Sequence, residues 1–109
     1  MSYNVLPTFL FEKELKRLVK KFPSLKNEYK ELINEIELNP ETGTLISNNC
    51  YKIRLAISSK GKGKRGGARV ITYVYIATQS VYLLTIYDKS EKEDLKPNEL
   101  NEIINSLEL

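Results

Sequence analysis

The apolar residues of this chain change from a helical spacing in the first third of the sequence to a strand spacing in the middle. In the first third they recur every three or four positions in two stretches, which Pro23 separates and Asn39-Pro40 closes. This spacing predicts two amphipathic helices, with Thr8 and Ser24 as their N-caps. From Tyr51 onward apolar and polar residues alternate, which is typical of strands with one buried face. The chain therefore combines helices and strands in separate blocks.

The remaining segments complete an α+β order. A short β-prone segment precedes the first helix, three strands follow the second, and Pro97–Leu107 carries a third apolar helical stripe. Ser90 and Glu93 predict one capped helical turn before that last helix. The predicted order is β-α-α-β-β-β-α in a single domain over residues 1–109, with a mostly antiparallel sheet and the helices packed on one face. The residues expected to face the helices are Ile53, Leu55, Val70, Val74, Leu84 and Ile86.

Composition excludes several kinds of chemistry. The chain has 109 residues, no histidine and one cysteine, Cys50. It can form neither a Ser-His-Asp triad nor a zinc site made of histidine or several thiolates. We therefore predict no metal and no cofactor. No apolar run approaches the roughly 20 residues of a membrane span, and no secretory signal is recognisable, which favours a cytoplasmic protein.

Charge is segregated along the sequence. Between Glu41 and Asp88 there is no acidic residue, but there are seven basic ones. The segment before this block sums to zero and the segment after it to −4, although the whole chain carries only +3. A basic block inside a nearly neutral domain is the electrostatic footprint of a polyanion-binding protein, most often one that binds nucleic acid.

The middle of the basic block is rich in glycine. Residues 60–67 contain four glycines together with Lys60, Lys62, Lys64 and Arg65. Glycines let backbone N–H groups approach phosphate closely, and the cations neutralise it, so the segment predicts a phosphate-binding loop. The alternative is a solvated hairpin loop without a ligand.

Strand alternation places further cations and aromatic rings on one side of the sheet. Lys52 and Arg54 share a face of their strand, and Tyr87 shares parity with Lys89. Arg69 has the parity of two tyrosines, Tyr73 and Tyr75. An open face with cations and tyrosines is typical of proteins that bind single-stranded RNA, although tyrosines are also ordinary strand formers.

Three segments in order resemble the RelE/HigB family of toxins from bacterial type II toxin–antitoxin pairs. They are Tyr51-Lys-Ile-Arg-Leu-Ala, Gly61-Lys-Gly-Lys-Arg-Gly-Gly-Ala-Arg-Val, and Leu83-Leu-Thr-Ile-Tyr-Asp-Lys-Ser-Glu-Lys-Glu-Asp-Leu95. The resemblance implies an mRNA interferase that enters the ribosomal A site and cleaves mRNA without a metal, leaving a 2′,3′-cyclic phosphate and a 5′-OH. The implied partners are a cognate antitoxin, mRNA and the 70S ribosome.

The resemblance also implies roles for single residues. Lys52, Arg54, Arg69 and Lys89 match positions where RelE-type toxins carry catalytic or RNA-binding cations. Some members use a tyrosine of the C-terminal helix, and others use a histidine. This chain has no histidine and no tyrosine in residues 97–109, and Tyr87 is the best substitute. The residues expected to bind RNA or the ribosome are Lys60, Lys62, Lys64, Arg65, Tyr73 and Tyr75.

Two other functions are compatible with the same fold. One is a ParE-like toxin that inhibits DNA gyrase by binding and cleaves nothing. The other is a module that binds RNA or antitoxin and has lost its activity. The joint presence of Lys52, Arg54, Arg69 and Lys89 favours the endoribonuclease over both.

Overall fold

The protein contains a five-stranded sheet with helices on both of its faces. A computed structural model describes residues 2–61 and 63–107, so Lys62, which we predicted to bind RNA, lies outside the described residues. The sheet order is β1-β5-β4-β3-β2, and all neighbouring strands are antiparallel except β1 and β5. In chain order the elements are β1 (Asn4–Pro7), α1 (Phe9–Lys21), α2 (Leu25–Leu38), β2 (Thr44–Ser47), β3 (Cys50–Leu55), β4 (Ala68–Tyr75), β5 (Ser80–Asp88) and α3 (Pro97–Asn105).

The predicted α+β class and element order are confirmed, with one strand added. Strand β2 was not predicted, because its four residues are all exposed and show no alternation of burial. It exists through its pairing with β3, in which Thr44 lies opposite Lys52 and Leu45 opposite Tyr51.

Both predicted N-cap positions are confirmed, but only Thr8 makes a capping bond. The Thr8 hydroxyl accepts a hydrogen bond from the backbone N–H of Phe11 at 3.2 Å, which begins α1. Ser24 is the N-cap residue of α2, but its hydroxyl makes no capping bond. Instead the Ser24 Oγ accepts from the backbone N–H of Ser59 at 2.9 Å and donates to Glu28 at 3.1 Å. These bonds fasten α2 to the segment that follows β3.

The turn predicted after β5 is present, but it begins at Asp88, and the predicted pair Ser90 and Glu93 does not cap it. The Asp88 carbonyl oxygen accepts from the backbone N–H groups of Glu91 and Lys92, each at 3.0 Å. The Asp88 carboxylate accepts from the backbone N–H of Ser90 at 2.9 Å, which is the bond of an N-cap aspartate.

The helices do not share one face, which corrects the predicted packing. Helices α1 and α2 cover one side of the sheet, while α3 packs on the other side through Leu100 against Cys50, Ile71 and Leu84. A β-bulge explains why Leu84 does not lie on the same face as Val70 and Ile86, contrary to the prediction. Ile71 pairs with Thr85, but the next residue, Thr72, pairs with Leu83. Leu84 is left unpaired and lies on the α3 side, which gives α3 an apolar surface.

Helix α3 covers only part of its face of the sheet. The part that bears Lys52, Arg54 and Arg69 lies outside the group of apolar residues on which α3 packs. No helix within the described residues is both long enough and apolar enough to cross a membrane.

Candidate nucleic-acid interface

A concave surface opens at the uncovered part of the sheet, between β3, β4 and the turn after β5. Its volume is about 700 Å³. Six cations and two carboxylates line it, and we call it the cation site. Its residues are Lys52, Arg54, Arg65, Arg69, Lys89, Glu93, Asp94 and Lys96.

Strand register brings the central residues of the cation site together. Arg54 on β3 pairs with Arg69 on β4, and Arg69 pairs with Tyr87 on β5. Like charges directly opposite each other on neighbouring strands destabilise a sheet. The pairing of Arg54 with Arg69 on neighbouring strands therefore suits an anionic ligand that offsets their repulsion.

Arg69 differs from the other cations because it is buried, with 4% of its surface exposed. Its guanidinium donates to the backbone oxygens of Lys64 at 2.8 Å and Arg65 at 3.2 Å. Among the described residues no carboxylate forms an ion pair with it. Arg69 therefore contributes uncompensated charge and also holds the glycine-rich loop against the sheet.

The glycine-rich loop has a defined shape. Lys64–Gly66 form a single 3₁₀ turn, and Lys64 and Arg65 are exposed. A Cβ on Gly67 would lie 2.1 Å from the backbone oxygen of Leu55, so only glycine allows the loop to approach β3 this closely. The loop thus presents Lys64 and Arg65 from a fixed base.

Lys60 does not join the cation site, although we predicted that it binds RNA. Its ammonium donates to Asp88 at 2.5 Å and to Ser90 at 2.9 Å, and it lies 5.3 Å from the ring centroid of Phe22. Its side chain is 6% exposed. Lys60 is thus one half of a buried ion pair that links the loop, the end of β5 and the end of α1.

Asp94 is a site residue that the sequence analysis did not identify. Its carboxylate accepts from the Tyr87 hydroxyl at 3.2 Å and lies 3.6 Å from the Lys52 ammonium. The backbone N–H of Leu95 and the charge of Lys52 hold the pKa of Asp94 below its usual value. The sequence signal for a carboxylate in the site was the group that follows Lys89, namely Glu91, Glu93 and Asp94. The same spacing is equally typical of a solvated turn.

Lys89 has a similar local partner. Its ammonium donates to the backbone oxygen of Glu93 at 2.9 Å and lies 4.0 Å from the Glu93 carboxylate. Two carboxylates of one turn therefore sit beside two cations of the site. Because Glu93 and Asp94 are largely exposed, they can move aside for a phosphate.

The predicted aromatic surface is not next to the cations. Tyr73 packs with the apolar residues beneath α3, and Tyr75 lies at the far end of β4, where it pairs with Ser80. Tyr87 does lie beside Arg69, but it is 6% exposed, so its ring is part of the core. The structure therefore separates the two tyrosines of β4 from the cation site.

The buried phenol of Tyr87 gives a prediction about stability. Burial, and then the nearby Asp94 carboxylate, raise the pKa of Tyr87 to about 12. Unfolded tyrosine has a pKa of about 10, so the folded chain holds this proton at higher pH than the unfolded chain. We expect the free energy of unfolding to fall as pH rises from about 10 to 12. In urea titrations Tyr87→Phe should lose this part of the pH dependence.

The same residue offers a control for packing. At pH 7 the free energy of unfolding of Tyr87→Phe should be within about 1 kcal/mol of the wild-type value, because this variant loses only one hydrogen bond. Tyr87→Ala should lose about 3–5 kcal/mol, because it leaves a cavity. An identical alkaline decline in wild type and Tyr87→Phe would show that another group is responsible.

The described residues offer no metal site. No group of three or more aspartate, glutamate, histidine or cysteine side chains that could hold an ion occurs among residues 2–61 and 63–107.

No family model matches the chain, but solved structures resemble it over nearly its full length. A mutant of the Escherichia coli toxin RelE in the free state aligns with a TM-score of 0.65 and 17% identity, covering 98% of this chain and 99% of that one. The RelBE2 toxin–antitoxin complex of Mycobacterium tuberculosis aligns with a TM-score of 0.58 and 15% identity, covering 81% of this chain and 99% of that one. A complex of mutant E. coli RelE with an antitoxin peptide gives 0.61 and 21%, covering 89% and 98%. The chain therefore has the RelE fold.

Proposed function

We propose that this protein is the toxin of a type II toxin–antitoxin pair and that it acts in the cytoplasm as an endoribonuclease on translated mRNA. One observation carries the proposal: on a RelE fold, six cations gather in one open concavity at the uncovered part of the sheet. An RNA strand supplies the repeated negative charge that such a surface needs.

The geometry supports cleavage by transfer within the RNA itself. The 2′-hydroxyl gives up its proton as its oxygen attacks the adjacent phosphorus. The bond from phosphorus to the 5′-oxygen breaks and that oxygen takes up a proton, which leaves a 2′,3′-cyclic phosphate and a 5′-OH. The exposed Arg54 can hold the phosphate through two hydrogen bonds, and Lys52 and Lys89 add charge beside it. Fixed positive charge stabilises the phosphorane that develops in the transition state.

Tyr87 has a restricted role in this scheme. With a pKa of about 12 it keeps its proton at neutral pH, so it does not act there as a general base. Its hydroxyl instead orients Asp94, which faces Lys52. In this proposal Tyr87 is a positioning residue, and the catalytic charges are Lys52, Arg54 and Lys89, together with the buried charge of Arg69.

The proposed antitoxin partner rests on the similar solved structures, and the proposed RNA partner rests on the cation site. Structures of the RelE fold have been solved as RelBE toxin–antitoxin complexes from E. coli and M. tuberculosis. We propose that a cognate antitoxin binds this chain, and that the translating ribosome presents mRNA to the cation site at its A site.

Primer extension on translated mRNA tests the proposed activity. Induction of the wild-type chain should produce new 5′ ends at fixed positions within codons, and the Lys52→Ala/Arg54→Ala variant should produce none while remaining folded. New ends that are equally abundant with this variant would remove the cation site from the reaction. DNA damage without mRNA cuts would support a gyrase inhibitor instead, and neither effect would support an inactive binding module.

The exposed cations of the glycine-rich loop give a prediction about binding. Lys64→Gln/Arg65→Gln should weaken binding to a 2′-deoxy single-stranded oligonucleotide, and the slope of log affinity against log salt should fall by about 0.7 for each lost contact. Fluorescence anisotropy at several salt concentrations measures both quantities. Lys26→Gln/Lys30→Gln on α2 is the matched control, because these exposed lysines lie on a helix that covers the opposite face of the sheet. Equal slopes in the two variants would exclude the loop from the RNA surface.

A further inference from the structure

A second groove adjoins the cation site, between β2 and the start of α3. Its volume is about 270 Å³. It shares Lys52 and Asp94 with the cation site, so the two cavities adjoin at this pair of side chains, which are 3.6 Å apart. Its other lining residues are Ile46, Ser47, Leu95, Pro97, Leu100 and Asn101.

The walls of this groove are apolar and its rim is polar. Ile46 is 39% exposed on an edge strand, where it faces Pro97 and Leu95 across the groove. Asn101 follows Pro97 by four residues and therefore lies on the same side of α3. Its exposed side-chain amide makes no hydrogen bond with a described residue. Apolar walls with a free amide at the edge suit a flat ring that carries hydrogen-bonding groups.

We propose that this groove binds one nucleobase, that of the nucleotide whose phosphate lies on Lys52. This inference deepens the proposed action on RNA and rests on it. Because Lys52 lines both cavities, a base in the groove would lie beside a phosphate bound in the cation site, and the volume of about 270 Å³ accommodates one nucleobase. Unpaired bases bind proteins by packing on side-chain surfaces and by hydrogen bonding at their edges. An asparagine amide matches the two edge groups of adenine, so Asn101 should favour adenine.

Nucleotide titrations of the isolated protein test the groove directly. The probes are the four nucleoside monophosphates and inorganic phosphate, added to ¹⁵N-labelled protein and followed by NMR. Adenosine monophosphate should shift the amide signals of Ser47, Leu95 and Asn101. Inorganic phosphate should shift signals around Lys52, Arg54 and Lys89 and leave those of Ser47 and Asn101 in place. Identical sets of shifted signals for phosphate and all four nucleotides would overturn the proposal.

Substitutions separate recognition of the base from binding of the phosphate. Asn101→Ala should lower the affinity for adenosine monophosphate about tenfold and leave the affinity for inorganic phosphate unchanged. Asn105→Ala is the matched control, since this exposed asparagine on the same helix lies outside the groove. Equal nucleotide affinities in wild type and Asn101→Ala would overturn the assignment of Asn101 and of the groove.

The cleavage map distinguishes this inference from the proposed function. If the wild type cleaves mRNA with a base preference that Asn101→Ala relaxes, both stand. If it cleaves and Asn101→Ala keeps the same sites and rates, the base groove is wrong and the endoribonuclease stands. If the nucleotide shifts appear in the groove but no mRNA is cut, the groove stands and the proposed activity is wrong.

Discussion

Replacing Arg69 with alanine is expected to lower the single-turnover rate of RNA cleavage by about 10²–10³. Two losses combine in this variant. The site loses a buried charge that no described carboxylate neutralises, and the backbone oxygens of Lys64 and Arg65 lose their donor. The loop that presents Lys64 and Arg65 is then no longer fixed to the sheet. Quenched-flow cleavage of a translated mRNA, with melting temperature measured in parallel, gives the result.

Arg69→Lys separates the two contributions. Lysine keeps the charge but cannot bridge two backbone oxygens with a planar fork. If the charge dominates, Arg69→Lys should recover most of the rate; if loop position dominates, it should remain nearly as slow as alanine. Hydrogen exchange at the Gly67 amide reports the loop, since this amide donates to Lys64 O at 3.4 Å in the folded chain. Arg65→Ala is the control, because it removes an exposed charge and leaves the tether in place.

A folded Arg69→Ala protein that cleaves within about threefold of the wild-type rate would show that Arg69 has no part in the reaction. Slow exchange at Gly67 in the same protein would show in addition that the loop does not depend on the guanidinium.

Elements whose apolar spacing matches their own burial were predictable from the sequence. In α1 the buried residues Phe11 and Leu18 belong to the predicted stripe, and in β3 the buried Ile53 has the predicted parity. The cations Lys52, Arg54 and Arg69 could be placed on one face for the same reason, because alternation along a strand is a local property. Predicting these positions required no knowledge of contacts between distant segments.

Features decided by contacts between distant segments could not be predicted in this way. The bulge at Leu84 shifts alternation by one residue, and no local signal marks it. It adds Leu84 to the apolar surface on which α3 packs, and that packing partly buries Tyr73 instead of leaving it open. Lys60 is 28 residues from Asp88, and a charge count along the sequence cannot detect that the two neutralise each other.

The buried pair of Lys60 and Asp88 gives a large expected effect on stability. Asp88 is 1% exposed and Lys60 is 6% exposed at their side chains. In Asp88→Asn the ammonium of Lys60 would stay in a site with little water and without a counter-charge. Breaking a buried ion pair on one side costs about 3–5 kcal/mol, so the free energy of unfolding should fall by this amount. Urea unfolding at pH 7 measures it.

The matched control is the exposed ion pair between Arg17 and Glu91. Their oxygen and nitrogen atoms are 2.9 Å apart, yet both side chains are more than 40% exposed. Glu91→Gln should therefore change the free energy of unfolding by at most about 1 kcal/mol. In the double variant Lys60→Met/Asp88→Asn neither charge is left alone, so it should be more stable than Asp88→Asn. A double variant that is as unstable as the sum of its two single changes would show that the two groups do not interact.

The pH dependence of unfolding gives an independent test of the same pair. Burial alone would raise the pKa of Asp88, but hydrogen bonds from Lys60 and the Ser90 N–H, with the charge of Lys60, outweigh it and hold that pKa below its ordinary value. The unfolded carboxyl has a pKa of about 3.9. The stabilisation is thus complete above this pH and is lost as pH falls through the lower folded pKa. Asp88→Asn should flatten the acid limb of the curve below pH 4, whereas an acid limb as steep as in the wild type would assign the loss to other carboxylates.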